Sequence, residues 1–447
     1  MLSFDQRSRA VGVALVALGV LAIAGAFSLV PARASAATST GTHWGIVTSI
    51  PVDNTGTIAI NETTNTVYAG DFVPQNGQTP DISKLIVING TTNAKTGEIG
   101  PLGLAPANGS IAINETTNTL YVPNYGSSSI SVIDGATNAV TDTISRANSM
   151  PWGAVSDPAT NTTYVTDGND NDWLPQGQVY VVDGSSNTIS SSVPIDNTAE
   201  SPALDPGENE IFVPMQANNY VLVMSTQTNS VVTSIYAPGL DEPSAIAIDP
   251  VLHRAYVTND EGNSVSIIDT ATNSGIGSPI PLPAGSGLVR DIAVDPTNHL
   301  VYVAGSSGSH GPGEVWVLNG ETGAIVDSIT IPGELAGYIA FNPLTQTMYV
   351  GSTEATSSVI DVLQQVPNPP TPPAPPVPAP ATGAVPAAEL AATGSSVSLV
   401  PLMGGAALIL AGIALQVVRR RTGKPRGGKQ SAVLAARDDP AAMDVPR

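Results

Sequence analysis

The chain has 447 residues, of which 12% are charged and 4% aromatic, whereas glycine and proline number 43 and 38; this composition favours short strands joined by turns over helices. It contains no cysteine, which excludes disulfide bonds and thiolate chemistry. Between residues 37 and 366 there are 32 acidic and five basic side chains, and this net charge of −27 repels phosphate backbones and argues against nucleic acid as a partner.

Residues 1–36 have the pattern of an export signal. Arg7 and Arg9 provide a basic start, an apolar run follows over residues 11–30, and Ala34-Ser35-Ala36 forms a small-residue cleavage site. We predict cleavage after Ala36. Because the apolar run is long for a signal peptide, an uncleaved membrane anchor is the alternative.

The stretch from residue 109 to 144 shows the unit from which the central region is built. It contains four short runs of alternating apolar and polar residues, SIAIN, TLYVPN, SISVIDG and AVTDTI, separated by turn-forming residues. This pattern predicts an antiparallel four-stranded meander. Since one small sheet cannot bury both of its faces, it requires neighbouring sheets, which the chain supplies by repetition.

An aromatic residue in the second strand of each unit marks the repeat. It recurs at intervals of 43 to 53 residues, at Tyr68, Tyr121, Tyr164, Phe212, Tyr256, Tyr302 and Tyr349. A period of this length fits one four-stranded propeller blade. The sequence therefore predicts an all-β fold over residues 37–366, a seven-bladed β-propeller.

Two short motifs resemble a known family, the YVTN-repeat β-propellers. Tyr256-Val257-Thr258-Asn259 spells the signature, Tyr164-Val165-Thr166-Asp167 nearly does, and several first strands end in the family's Asp-Pro pair. The resemblance covers about residues 44–366 and implies the propeller fold and a surface-layer or secreted protein without a shared reaction. Asn61-Glu62 and Asn114-Glu115 replace Asp-Pro in the first two units, which we expect to alter only a turn.

The last unit lacks a fourth strand, because its third strand runs directly into a proline-rich segment. The segment GIVTSIPV, residues 45–52, matches the fourth strands SVVTSIYA and AIVDSITI. We predict that this N-terminal segment completes the last blade and closes the ring, which removes two exposed sheet edges.

The loops between strands two and three, together with the entries to strand one, share one face of such a ring. These segments vary most in length and composition, as expected of a recognition surface on a rigid scaffold. The entries also carry Glu200, Glu242 and Asp291. We predict that the ligand-binding residues are Trp152, Trp173, Asp167, Asp170, Asp172, Arg290 and Tyr338.

The densest polar cluster is Asp167-Gly168-Asn169-Asp170-Asn171-Asp172. Oxygen donors at Asp167, Asn169 and Asn171 suit a calcium ion. Asp172 stands where an EF-hand has glycine, and the twelfth position is Gln178 instead of glutamate, so the segment is not an EF-hand. A solvated polar loop is the alternative to a metal site, and no other cofactor is predicted.

No combination of residues predicts a reaction. His310 is the one histidine in a suitable loop, and no acidic partner lies beside it in the sequence. We therefore expect a non-enzymatic binding, adhesion or surface-layer module whose ligand is an unknown surface protein or glycan. The alternative is an extracellular lyase or hydrolase that uses the same face.

The C-terminal part predicts attachment to a cell envelope. A proline-rich linker at 367–389 favours an extended polyproline II spacer. An apolar run that begins at Val397 and ends at Val418 is long enough to span a membrane, and three arginines, residues 419–421, mark its cytoplasmic side. Residues 422–447 would form a cytoplasmic tail.

Between the linker and the apolar run lies the segment LAATG, which resembles the LAxTG signal recognised by class E sortases. The motif residues are Leu390, Ala391, Ala392, Thr393 and Gly394. The resemblance implies that a sortase cuts between Thr393 and Gly394 and links Thr393 to the envelope. Because 26 residues follow Arg421, an ordinary single-pass anchor is the alternative. Both arrangements place the propeller on the extracellular face of a bacterial cell envelope.

Overall fold

The computed structural model describes residues 41–73, 82–103, 109–168, 176–196, 198–283, 288–308, 311–353 and 358–368. The export signal, most of the proline-rich linker, the LAATG motif and the apolar run at 397–418 lie outside these ranges. Within them, no helix is both long and apolar enough to cross a membrane.

The described residues form seven four-stranded antiparallel sheets, so the predicted seven-bladed β-propeller is confirmed. The strands of the first four blades are, in chain order, β2 (Thr55–Asn61), β3 (Thr66–Val73), β4 (Ile82–Asn89), β5 (Ala94–Ile99); β6 (Ala112–Asn114), β7 (Thr119–Asn124), β8 (Ser129–Asp134), β9 (Ala139–Ser145); β10 (Pro151–Asp157), β11 (Thr162–Asp167), β12 (Gly177–Asp183), β13 (Thr188–Ile195); and β14 (Ala203–Asp205), β15 (Glu210–Met215), β16 (Tyr220–Ser225), β17 (Ser230–Ile235).

The remaining blades follow the same order, except that the outermost strand of the seventh blade precedes the first blade in the sequence. Their strands are β18 (Pro243–Asp249), β19 (Arg254–Asn259), β20 (Ser264–Asp269), β21 (Ser274–Pro281); β22 (Val289–Asp295), β23 (Leu300–Ser306), β24 (Gly313–Asn319), β25 (Ile325–Ile331); and β26 (Leu335–Asn342), β27 (Thr347–Thr353), β28 (Ser358–Pro367) with β1 (Thr42–Val52).

The N-terminal strand closes the ring as the sequence predicts. β1 pairs antiparallel with β28, with Ile50 opposite Ile360, and a single register shift lies between Ile46 and Thr48. Trp44 on this strand is buried against Tyr302 and Phe341, at ring distances of 5.7 and 6.5 Å. The first and last strands of the domain therefore share both a hydrogen-bond ladder and an aromatic cluster.

Asparagine in the left-handed region makes the tight turns between strands. Asn65, Asn118 and Asn161 precede second strands with φ between 50° and 53°, and Asn93 and Asn187 precede fourth strands with φ of 55° and 52°. Asparagine tolerates this conformation better than other side-chain-bearing residues. The recurrent Asn-Thr pairs in the sequence are explained by this turn geometry.

Several of the tyrosines that mark the repeat donate a hydrogen bond to the next blade. They are at most 1% exposed, and the Tyr121 and Tyr164 hydroxyls donate to the turn residues Asn187 and Asn229 of the following blade, at 3.1 and 2.6 Å. Hydrophobic clusters lie between adjacent blades around these rings. One residue type therefore supplies both apolar packing and a polar contact between blades.

In several blades the residue that ends the first strand also contacts the next blade. Asn61 and Asn114 donate to Asn118 and Asn161 of the next blade, each at 2.8 Å. The expectation that asparagine here alters only a turn was therefore incomplete, because the amide also provides a donor to the neighbouring blade. In the fifth blade this residue is Asp249, whose Oδ2 lies 2.7 Å from Nδ1 of His299 in the sixth blade.

Candidate functional site

A cavity of about 710 Å³ opens where the first strands of all seven blades converge. Each blade contributes the start of its first strand or the residues just before it, and the second strands add a few residues at their ends. The polar and aromatic part of the described lining consists of Asn54, Thr55, Thr57, Ser110, Trp152, Glu200, Ser201, Gln216, Ser244, Asp260, Arg290, Asp291, Tyr338 and Thr353. The site is therefore assembled from residues far apart in the sequence.

Trp152 and Glu200 form a polar contact on one side of the cavity. The indole Nε1 of Trp152 donates to Glu200 Oε2 at 2.7 Å, and the indole packs edge-on against Tyr125 with ring centroids 5.6 Å apart. Gly109 allows this arrangement, since a Cβ there would lie 2.4 Å from the carbonyl oxygen of Trp152. The Trp152 ring is consequently held in one orientation.

Burial raises the pKa of Glu200 to about 7. The hydrogen bond from Trp152 opposes this increase, and the negative charge of Asp260 adds to it. Glu200 therefore exchanges its proton near neutral pH, in contrast to an exposed glutamate. It can act as a hydrogen-bond donor below that pH and as an anion above it.

Asp260 lies in the fifth blade just after β19, and one of its oxygens is unsatisfied. Its Oδ1 is buried and has no hydrogen-bond partner among the described residues. Burial raises the pKa of Asp260, and the charges of Glu242 and Glu261 raise it further. The positive charge of Arg290 and a hydrogen bond from the Val289 N–H to this carboxyl lower it. A buried acceptor without a donor is costly, so this oxygen is suited to a ligand that brings one.

Asp291 and Tyr338 occupy the boundary between the sixth and seventh blades. Asp291 accepts backbone N–H bonds from Ile292 at 2.8 Å and from Ile339 of the next blade at 3.0 Å. Burial nevertheless raises the pKa of Asp291 to about 7. The pKa of Tyr338 is raised by burial and by the charge of Asp291, with Arg290 acting in the opposite direction.

Three of the residues predicted to bind ligand line this cavity: Trp152, Arg290 and Tyr338. The structure places Asp167 elsewhere. Asp167 is fully buried at the end of β11, where its carboxylate accepts hydrogen bonds from the Met150 N–H at 2.9 Å and from the Tyr180 hydroxyl. Its contacts lie within its own blade, so it is not a solvent-facing ligand residue in this structure.

The other predicted residues of that loop lie outside the described part of the chain, namely Asn169, Asp170, Asn171, Asp172 and Trp173. His310 also lies outside it. Among the residues that the structure describes, no group of three or more acidic or histidine side chains is arranged to hold a metal ion.

Asp260 was not predicted from the sequence, and Glu200 and Asp291 were predicted only as residues at strand entries. Glu200 and Asp291 each precede or begin a first strand, and Asp260 follows the Tyr-Val-Thr-Asn motif of the fifth blade. Their positions in the repeat show that they lie on the same face. That signal alone does not show that they converge on one cavity.

This arrangement defines a seven-bladed β-propeller with a polar central cavity. The structure is similar to the β-propeller domain of Cps50 (Swd1) from Myceliophteria thermophila, with a TM-score of 0.58, 10% identity, and coverage of 72% of this chain and 99% of that one. At this level of identity the similarity concerns the fold alone.

Sequence similarity points to more specific relatives. The chain is 27% identical over 224 residues to the Uncharacterized protein YncE of Salmonella typhimurium, and equally to that of Salmonella typhi. Each alignment covers 48% of this chain and 59% of the relative, so the similarity extends over little more than half of the relative's length. No family model matches the chain.

Proposed function

We propose that this protein is a non-enzymatic binding or adhesion module, held on the outer side of a bacterial cell envelope, that takes its ligand into the central cavity. The observation that carries this proposal is the cavity. Its volume of about 710 Å³ lies within the range of small-ligand sites. Its lining combines the aromatic residues Trp152 and Tyr338 with a few convergent charged groups, as such sites do.

The rigidity of the lining supports recognition. The Trp152 ring is fixed by Glu200 and Tyr125, and Asp291 is fixed by backbone donors from two blades. Side chains held in place before binding lose little conformational entropy when the ligand arrives. A partner surface protein could insert a side chain here, and a glycan could insert one sugar residue.

A binding assay with matched variants tests this role. Full-length protein is applied to arrays of envelope glycans and surface proteins, beside Arg290→Ala and Trp152→Ala. Asp327→Ala, which changes an exposed residue of the outer strand β25, serves as the control. We expect the cavity variants to lose at least tenfold in affinity for a retained ligand, with the control unchanged. Equal retention by all four proteins would place binding outside the cavity.

The proposed location rests on the export and LAATG patterns of the sequence. We expect the protein in the envelope fraction and accessible to added protease. Thr393→Ala should release it from the wall-linked fraction if a sortase is the transient partner. If wall linkage is unchanged by this substitution, a single-pass membrane anchor replaces the sortase link; recovery in the cytosol would contradict both.

An extracellular lyase or hydrolase is the second candidate. It is favoured by Glu200 and Asp291, because a carboxyl with a pKa of about 7 in a cavity is suited to general acid–base catalysis. The test is turnover of the retained ligand by purified protein. A reaction that Glu200→Gln slows at least a hundredfold, without loss of ligand affinity, would assign the enzyme role.

A further inference from the structure

We propose that the ligand group bound in the central cavity is a protonated amine, held by Glu200 and Asp260 with its carbon skeleton against Trp152. This inference rests on the proposed binding function and deepens it by naming the chemical class of the ligand.

An unsatisfied acceptor in the cavity, on Asp260, favours a ligand that donates hydrogen bonds. Asp260 Oδ1 is buried and has no hydrogen-bond partner among the described residues, although Asp260 lines the cavity. An ammonium group offers three N–H donors and no acceptor. It therefore complements this oxygen, whereas a ligand group rich in acceptors would leave the oxygen unpaired.

The balance of charge in the cavity lining favours a cationic ligand. Glu200, Asp260 and Asp291 line the cavity from three consecutive blades, and Arg290 is the only basic residue among the described residues of the lining. Glu200 and Asp260 already act on each other, because the charge of Asp260 raises the pKa of Glu200. A cation near both carboxylates offsets this repulsion, and an anionic ligand would add to it.

The size and composition of the cavity favour an organic cation over a bare metal ion. A bare metal ion needs several closely spaced ligands, and among the described residues no group of three or more acidic or histidine side chains is arranged to hold one. The cavity instead accommodates an organic molecule and presents the indole of Trp152 beside Glu200. Aromatic faces attract ammonium groups and also pack against their carbon skeletons.

The field of the whole domain favours the same ligand. The net charge of −27 over residues 37–366 attracts cations, and a cavity lined by carboxylates concentrates that attraction. Arg290 lies on the same lining and can donate a hydrogen bond to a second, polar group of the ligand. Free amines and the amino groups of sugars share this chemistry, and the experiment separates the two sources.

The test is calorimetric titration of the full-length protein with two matched pairs of probes. The first pair is 2-phenylethylamine and its neutral analogue 2-phenylethanol; the second is glucosamine and N-acetylglucosamine. We expect the amine of at least one pair to bind at least tenfold more tightly than its neutral partner at pH 7.5. Binding of 2-phenylethylamine, which is already protonated at this pH, should release protons from Glu200, seen as a heat that depends on the ionisation enthalpy of the buffer.

Variants assign the effect to the cavity. Asp260→Asn and Glu200→Gln should each weaken amine binding at least tenfold, and Asp327→Asn, which removes an equal charge from the outer surface, should leave it unchanged. In Glu200→Gln the amide oxygen can still accept the hydrogen bond from the Trp152 indole. This variant therefore tests the proposal even if Asp260→Asn folds poorly. Retention of full amine affinity in Glu200→Gln would overturn the proposal.

The remaining outcomes separate this proposal from the broader one. If neutral and amine probes bind equally, or if none binds, the amine assignment is wrong. A neutral ligand that loses affinity in Trp152→Ala and Arg290→Ala would then leave the proposed binding function in place. If no ligand of the arrays loses affinity in the cavity variants, the proposed binding function is wrong as well.

Discussion

The hydroxyl of Tyr349 donates a hydrogen bond to Asn93 Oδ1 at 2.6 Å, and so joins the seventh blade to the first. Tyr349 lies in β27 and is fully buried, and Asn93 makes the turn between β4 and β5. The same relationship links Tyr121 with Asn187 and Tyr164 with Asn229. Closure of the ring therefore reuses the contact that joins its interior blades, in addition to the pairing of β1 with β28.

Removing this hydroxyl should weaken the closing contact alone. We expect Tyr349→Phe to lower the free energy of unfolding by about 1 kcal/mol, because one hydrogen bond is lost and the ring packing is kept. The control is Tyr68→Phe, since the Tyr68 hydroxyl is buried without a partner among the described residues. Denaturant titration should show the control equal to or more stable than wild type. Equal losses in both variants would mean that the hydrogen bond is not the cause.

Trp44 should be the main apolar contribution of the closing strand. It is 9% exposed and packs edge-on against Tyr302. Trp44→Ala should cost about 3–5 kcal/mol through the cavity that it leaves. Val47→Ala is the matched control on β1, where the side chain is 44% exposed, and it should change stability by less than about 0.5 kcal/mol. A small effect of Trp44→Ala in equilibrium unfolding would show that closure depends on the backbone ladder alone.

Glu200 should make the unfolding free energy fall as pH rises. Its folded pKa of about 7 lies above the ordinary value of 4.5, so the folded state holds this proton more tightly than the unfolded state does. The stabilisation is complete below about pH 4.5 and is lost as pH rises through about 7. Glu200→Gln, which carries no titrating proton, should therefore match wild type near pH 5 and exceed it by roughly 1–3 kcal/mol at pH 8.

Denaturant titrations of both proteins at pH 5, 6, 7 and 8 measure this difference. Glu321→Gln, an exposed residue of the same type, is the control and should follow the wild-type profile. The pKa of Asp291 is also raised to about 7, so Asp291 likewise makes the unfolding free energy fall as pH rises. It does so equally in wild type and in both variants. Parallel profiles for wild type and Glu200→Gln would mean that Glu200 does not titrate near neutral pH.

Asp167 should matter for stability and not for ligand affinity. Its removal would leave the Met150 N–H and the Tyr180 hydroxyl without their acceptor inside the blade. Asp167→Ala should therefore cost about 2–4 kcal/mol. Asp183→Ala, at an exposed turn where Asp183 accepts from the Ser185 N–H at 2.8 Å, should cost about 1 kcal/mol or less. A loss of ligand affinity in folded Asp167→Ala would restore the solvent-facing role that the sequence suggested.

The misplacement of Asp167 has a physical origin. Its sequence neighbours are polar and include Asn169 and Asp170, which indicates an exposed loop. Asp167 also occupies the fourth position of a Tyr-Val-Thr-Asn-like motif, where Asn259 is buried and donates to serines of the adjacent strand. Comparison with the equivalent position of another blade would have identified the buried role. Local polarity outweighed the repeat in the sequence-based prediction.

The sequence by itself determined the number of blades, the order of strands and the closing strand. These features depend on local physical preferences: alternating apolar residues form strands, asparagine forms the turns, and β1 carries the same pattern as other outermost strands. Only the tertiary structure decided which side chains share the cavity. Glu200, Asp260 and Asp291 belong to different blades, and their burial, their place on one cavity and the repulsion between Glu200 and Asp260 depend on how seven sheets pack around one axis.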